Sequence, residues 1–196
     1  MHAARFFLLC LCPALLLGGC ATRVPVRNYT LASVMCQPLE DVPASLPVLQ
    51  VAPVVLPDYL QRGSIVTRLD ANRVKIASND QWAGDLADGI SRVLANTLGD
   101  CLGATKVVRP GERARVATAM LDTSVNRCEP WPDGRVELVV NWVIHAANGT
   151  VLASQSNKTY RVRATDLSYD AYAQAISKAV TALGQDIAVA YCAASR

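Results

Sequence analysis

The side chains able to do chemistry are few, and cysteine dominates them. Seven cysteines stand at positions 10, 12, 20, 36, 101, 128 and 192. Their spacings match no C-x-x-C or zinc pattern, so no metal site is expected. Histidine occurs twice, as His2 and His145. His145 falls on the opposite strand face from Trp142 and has no suggested acid or nucleophile beside it. It reads as a solvated or half-buried strand residue. Asp85 and Asp88 come closest to a carboxylate pair of the kind that cleaves glycosides. Three residues apart near a helix start, they read better as a solvated face that suits the helix dipole. The sequence holds no G-x-S-x-G, no H-E-x-x-H and no phosphate-binding glycine loop. No catalytic residue is expected, and the chain does not read as an enzyme.

The cysteine with the clearest context is Cys20. It follows Leu17, Gly18 and Gly19, which end an apolar run from Phe6. Only Met1, His2, two alanines and Arg5 precede that run. A short positive start, an apolar centre and small residues describe a secretory signal peptide. The run is about a dozen residues, against roughly 20 for a membrane-spanning helix. Leu-Gly-Gly-Cys resembles the bacterial lipobox. The resemblance implies cleavage between Gly19 and Cys20, diacylglycerol on the Cys20 thiol and an acyl chain on its amine. No other cofactor is expected. One acyl chain anchors only marginally, at about 0.8 kcal/mol per buried methylene, whereas three would hold firmly. Ala21 in place of Asp favours the periplasmic face of the outer membrane. The alternative is an ordinary signal peptide with Cys20 in a disulfide.

Loss of residues 1–19 removes Cys10 and Cys12, and lipidation occupies Cys20. Four cysteines remain, and an even number in an exported protein reads as disulfides. The pairing expected is Cys101 with Cys192 and Cys36 with Cys128, with buried thiols as the alternative. The first pair would join the ends of two helices. Residues 20–27 form a tether, and residues 28–196 are the size of one domain. The whole chain carries 19 basic and 16 acidic residues without a basic block, so nucleic-acid binding has no electrostatic support.

The elements that must position these residues follow in order. Asn28–Ser33 and Val48–Val55 read as strands, separated by a proline-rich loop over 36–47. Ile65–Leu69 and Arg73–Ile76 form a hairpin about Asp70-Ala71-Asn72. Ser78 and Gln81 are spaced as a capping box. Trp82, Leu86, Ile90, Val93, Leu94 and Leu98 then make one helical face, with Gly99 as the left-handed end. A short strand near Lys106–Val108 precedes a turn at Pro110-Gly111. Arg115–Val125, Val136–Ile144 and Val151–Arg163 make an antiparallel meander. Its turns are Trp131-Pro132-Asp133-Gly134 and Asn148-Gly149, the latter expected as type I′. Ser168 or Asp166 caps a last helix whose face runs from Tyr169 to Tyr191. The fold class expected is α+β: a mostly antiparallel sheet with two amphipathic helices packed on one face.

At Leu56-Pro57-Asp58-Tyr59-Leu60, Ile65-Val66-Thr67-Arg68 and Trp82-Ala83 with Leu86, Ile90, Val93, Leu94 and Leu98, the chain resembles the PqiC (YmbA) family. These are the ABC-type transport auxiliary lipoproteins. The lipobox, Tyr29-Thr30-Leu31 and the order of elements fit as well. Gly84 stands where the family pattern has Glu, and Asp85 follows. The resemblance implies an outer-membrane lipoprotein that works with a periplasmic MCE-domain protein and its inner-membrane permease to move lipid. It would dock the conduit and support envelope integrity, and a homo-oligomer would suit that role. Tyr59, Leu60, Arg68 and Trp82 are the candidate partner-binding residues. Alternatively, Tyr59, Leu60 and Arg68 merely close the hairpin against the first helix, and Trp82 is core. A different reading of the whole chain is a shuttle that itself carries lipid between parted helices and sheet.

Overall fold

The structure is a computed structural model that describes residues 24–112 and 119–195. Gly19, Cys20, the signal segment and the start of the strand expected from Arg115 lie outside the described residues. Among the described residues, eight strands and two α-helices follow one another: β1 Arg27–Tyr29, β2 Leu49–Val51, β3 Ser64–Arg68, β4 Val74–Trp82, α1 Leu86–Leu102, β5 Val107–Val108, β6 Ala119–Pro130, β7 Arg135–Ala146, β8 Val151–Arg163 and α2 Tyr169–Ala194. The fold is α+β. The strands divide into two mixed sheets, ordered β1-β4-β3 and β5-β2-β6-β7-β8. β1 runs parallel to β4, and β2 parallel to β5 and β6. The sequence predicts one sheet, but the strands form two, because the short parallel strands β1, β2 and β5 carry little local signal.

The meander β6-β7-β8 is antiparallel, with Val125 opposite Val140 and Leu138 opposite Tyr160. Val136, Leu138, Val140 and Ile144 are fully buried on the face toward α2. Ile176, Val180, Leu183 and Ile187 of α2 close over them, and α1 packs beside α2 through Val93, Leu94 and Leu98. The helices cross closely at Gly184, where an added Cβ would lie 2.8 Å from Thr97 Cγ2. Alternation along β7 put the apolar set on one face, as its sequence requires. Ser168 caps α2, its hydroxyl accepting from Ala171 N at 3.1 Å.

Four local expectations are corrected. Ser78–Trp82 is strand, the end of β4, and α1 begins at Leu86 with Asp85 at the N-cap. The Trp82–Leu86 spacing suits a helix, but β4 pairs on both sides, which satisfies its backbone donors and acceptors. Gly103 (φ 95°), not Gly99, ends α1. At Asn148-Gly149 only Gly149 takes positive φ, and Gly149 N donates to Ala146 O while Ala146 N donates to Thr150 O. That is a type I turn with a glycine bulge, not type I′.

The fourth correction is the disulfide pairing. Cys36 is bonded to Cys101, with Cα atoms 6.1 Å apart. The proline-rich loop runs against the end of α1, where Leu39 N donates to Cys101 O at 3.0 Å. That hydrogen bond brings Cys36 to Cys101. Cys128 is a buried thiol on the core face of β6, opposite Leu138. Burial, and then the neighbouring Glu129 charge, push it up to about 12. Cys192 is buried on α2 and belongs to no disulfide.

Candidate partner-docking site

Tyr59 lies in a single 3₁₀ turn, Asp58–Leu60, that starts after the extended Pro57. Leu60 N donates to Pro57 O, and Gln61 Nε2 donates to Leu56 O, which fixes the turn. The Tyr59 hydroxyl donates to Glu129 Oε2 at 2.8 Å. Arg68 at the end of β3 donates through Nε to Glu129 Oε1. Its guanidinium also lies 5.9 Å from the Tyr59 ring centroid and reaches Ala71 O at 3.1 Å. Cys128 N gives Glu129 Oε2 a further donor at 3.0 Å. Glu129 is fully buried. A buried carboxylate is costly unless paired and hydrogen-bonded, and these donors meet that need.

The cluster therefore bolts β3 of the small sheet to β6 of the large one. Burial, and then the Glu129 charge, push the Tyr59 phenol up to about 12, so it stays a donor. For Arg68, burial opposes the charge, but the hydrogen bond and charge of Glu129 outweigh it and raise its pKa. A second layer lies beside the first. Glu137 stands opposite Glu129 across β6 and β7, and like charges so placed repel. Arg161 Nε (2.9 Å), Arg127 (3.3 Å) and Arg135 (3.3 Å) converge on the Glu137 carboxylate. Burial raises its pKa, but these three guanidinium groups win and hold it below the ordinary carboxylate value. Arg135 also lies 4.6 Å over the Trp131 ring.

The four candidate docking residues do not form one surface. Tyr59 and Arg68 spend their polar groups inside the cluster, and Leu60 is only 3% exposed beside them. Trp82 belongs to the far end of β4, 8% exposed, at a groove of about 590 Å³ that Tyr29, Leu31 and Leu86 also line. What this segment offers outward is the loop Gln61-Arg62-Gly63, all exposed, held by the bond from Trp82 N to Gly63 O. Sequence reasoning missed Glu129 and Glu137. Their signal was two glutamates on facing strands amid arginines, visible only once the register was known. His145 lies 3.7 Å from Asp122 on the open sheet face, and Asp85 and Asp88 are both exposed at the start of α1. No group of three or more metal-ligating side chains converges among the described residues.

No described helix is long and apolar enough to cross a membrane. No curated protein matches the sequence closely enough to count as a relative. Among solved structures, a protein of Xanthomonas campestris assigned to the DUF330 family is similar at 18% identity. The match covers 86% of this chain and 96% of that one, with a TM-score of 0.69. A second solved but uncharacterized protein is similar at 19% identity, over 85% of this chain and 98% of its own, with a TM-score of 0.71. At such identities the likeness is one of fold. The family model described as "ABC-type transport auxiliary lipoprotein component" matches residues 29–188, from β1 to the last turns of α2. The chain belongs to the ABC-type transport auxiliary lipoprotein component family.

Proposed function

We propose that the protein is a periplasmic lipoprotein anchored in the outer membrane through Cys20, and that it is an accessory part of an MCE-type intermembrane lipid transport system. It docks the periplasmic conduit, acts without catalysis of its own and supports envelope integrity. The observation that carries this reading is the family match across nearly the whole domain. The lipobox supports the anchor. Two features suit docking. The Gln61–Gly63 loop is exposed yet tied to the fold by the bond from Trp82 N to Gly63 O. Strand β8 forms the outer edge of the five-stranded sheet, with residues 154–158 exposed. An unpaired edge accepts a partner strand through its backbone groups.

Crosslinking and affinity purification of the lipoprotein from its own envelope, with Cys20→Ala as control, tests the proposal. Recovery of an MCE-domain protein and its inner-membrane permease, reduced in the Cys20→Ala variant, is expected. Clean recovery of the lipoprotein without a transporter component sinks the docking reading. The groove beside Trp82 favours one second reading, a lipid-carrying shuttle. The space between helices and sheet is filled by Leu138, Val140, Ile176 and Leu183, so a carried acyl chain would have to use that groove. Native mass spectrometry of the protein showing retained phospholipid, beyond the Cys20 adduct, would favour the shuttle.

A further inference from the structure

The β3–β4 hairpin ends in a surface that its own domain leaves uncovered. Leu69 (41% exposed), Val74 and Ile76 (46% exposed) are apolar side chains open to solvent around its turn. Val74 and Ile76 are two apart on β4 and so share a face. The turn's carboxylate is used internally. Asp70 accepts from Asn72 N and Arg73 N at 3.0 Å each, and from Arg73 Nε at 2.6 Å. Lys75, between them in sequence, is exposed on the other face of the strand and makes no ion pair among the described residues. A narrow hairpin with an apolar pair on one face and a lysine on the other suits the boundary between lipid headgroups and acyl chains, where the long lysine stem lets the ammonium reach water or phosphate.

The direction of the chain says which way this tip points. β1 is parallel to β4, with Arg27 opposite Asp80 and Tyr29 opposite Trp82. The chain therefore enters β1 from the side of the β3–β4 turn, not from the Trp82 end. Val24 and Val26, on that approach, are themselves exposed and apolar. Pro25 keeps Val24 extended. Four residue steps separate Cys20 from Val24, which span at most roughly 14 Å. A lipid on Cys20 thus holds this end of the small sheet close to the bilayer. The Gln61–Gly63 loop, bonded to Trp82, lies at the opposite end of β4.

We infer that the β3–β4 hairpin tip, through Leu69, Val74, Ile76 and Lys75, is seated in the headgroup region of the same phospholipid leaflet that holds the Cys20 anchor. The inference rests on the anchor proposed above. It gives the domain a fixed attitude: hairpin tip in the membrane, Gln61–Gly63 loop turned away from it toward the periplasm.

The test uses the full lipoprotein purified from membranes. It is reconstituted in phosphatidylethanolamine–phosphatidylglycerol vesicles that carry a trace of photoactivatable phospholipid, then irradiated, digested and read by mass spectrometry. Labelling of the peptide containing Leu69–Ile76 is expected to exceed that of peptides containing Met120, Val151 or Val189, also exposed apolar residues, by about fivefold or more. Val74→Glu with Ile76→Glu should abolish the excess while leaving the melting temperature unchanged. Label on the Met120 or Val151 face, or an unlabelled hairpin, overturns the inference. The same digest reports the mass of the Cys20 peptide. Lipidated Cys20 with an unlabelled hairpin overturns the seating alone. Unlipidated Cys20 overturns the anchor and, with it, the seating.

Discussion

Removing the Arg68 guanidinium strands the Glu129 carboxylate in the interior. Arg127, 3.8 Å away, is too distant to replace its hydrogen bond. Arg68→Ala is expected to cost about 3–5 kcal/mol, the usual penalty for an unpaired buried charge. Tyr59→Phe deletes one donor and keeps the packing, so about 1–3 kcal/mol is expected. Urea denaturation of both variants checks the order; equal and negligible effects would mean the cluster does not join the sheets. Substitutions at Tyr59 and Arg68 therefore perturb the fold and do not by themselves report on partner binding. Glu137 has a pH signature. Its folded pKa is held below its ordinary 4.5, so its contribution is fully present above that value. The contribution is lost as pH falls through the lower folded value. Glu137→Gln should therefore flatten the acid limb of the stability profile below about pH 4.5. A limb as steep as in the native protein would refute that role.

At the scale of elements, the crossing of α1 and α2 is set by one missing side chain. A methyl at Gly184 meets Thr97 Cγ2 at 2.8 Å, and Thr97 is held by its hydroxyl bond to Val93 O at 2.9 Å. Helix propensity favours alanine over glycine by about 1 kcal/mol. Overpacking of this kind costs about 1–3 kcal/mol. Gly184→Ala should thus be net destabilising; a raised denaturation midpoint would show that the helices separate freely. The disulfide is the other inter-element tie. It spans 65 positions of sequence, and chain-entropy arguments assign such a loop about 4 kcal/mol. Cys36→Ser, or reduction of the native protein, should lower the melting temperature and release the proline-rich loop. Unchanged proteolysis of residues 36–47 on reduction would count against that.

For the whole molecule, the proposed function gives the two ends of β4 different tasks: the hairpin tip would meet lipid and the Gln61–Gly63 loop the conduit. Gln61→Glu with Arg62→Glu is a surface change and should leave stability within about 0.5 kcal/mol. It should reduce recovery of the MCE-domain protein in the envelope pulldown. Full recovery would move the docking surface to the β8 edge.

Much of this molecule was legible in one dimension. The meander, its Trp131–Gly134 turn, the capped α2 and the α+β class follow from alternation, helical period and turn chemistry, which act between near neighbours. The order and spacing of Leu56–Leu60, Ile65–Arg68 and Trp82-Ala83 pointed to the family. Tertiary structure alone decided the rest. Trp82 is strand because β1 and β3 pair on either side of it, and no local period encodes a partner fifty residues away. Cys36 joins Cys101 because a loop is tied to the end of α1. Tyr59 and Arg68 spend their polar groups on a bolt between the sheets because Glu129, 61 residues beyond Arg68, is brought between them. Sequence fixes what each side chain is able to do; which of those capacities is spent inside the fold depends on long-range register, which neighbours in the chain do not set.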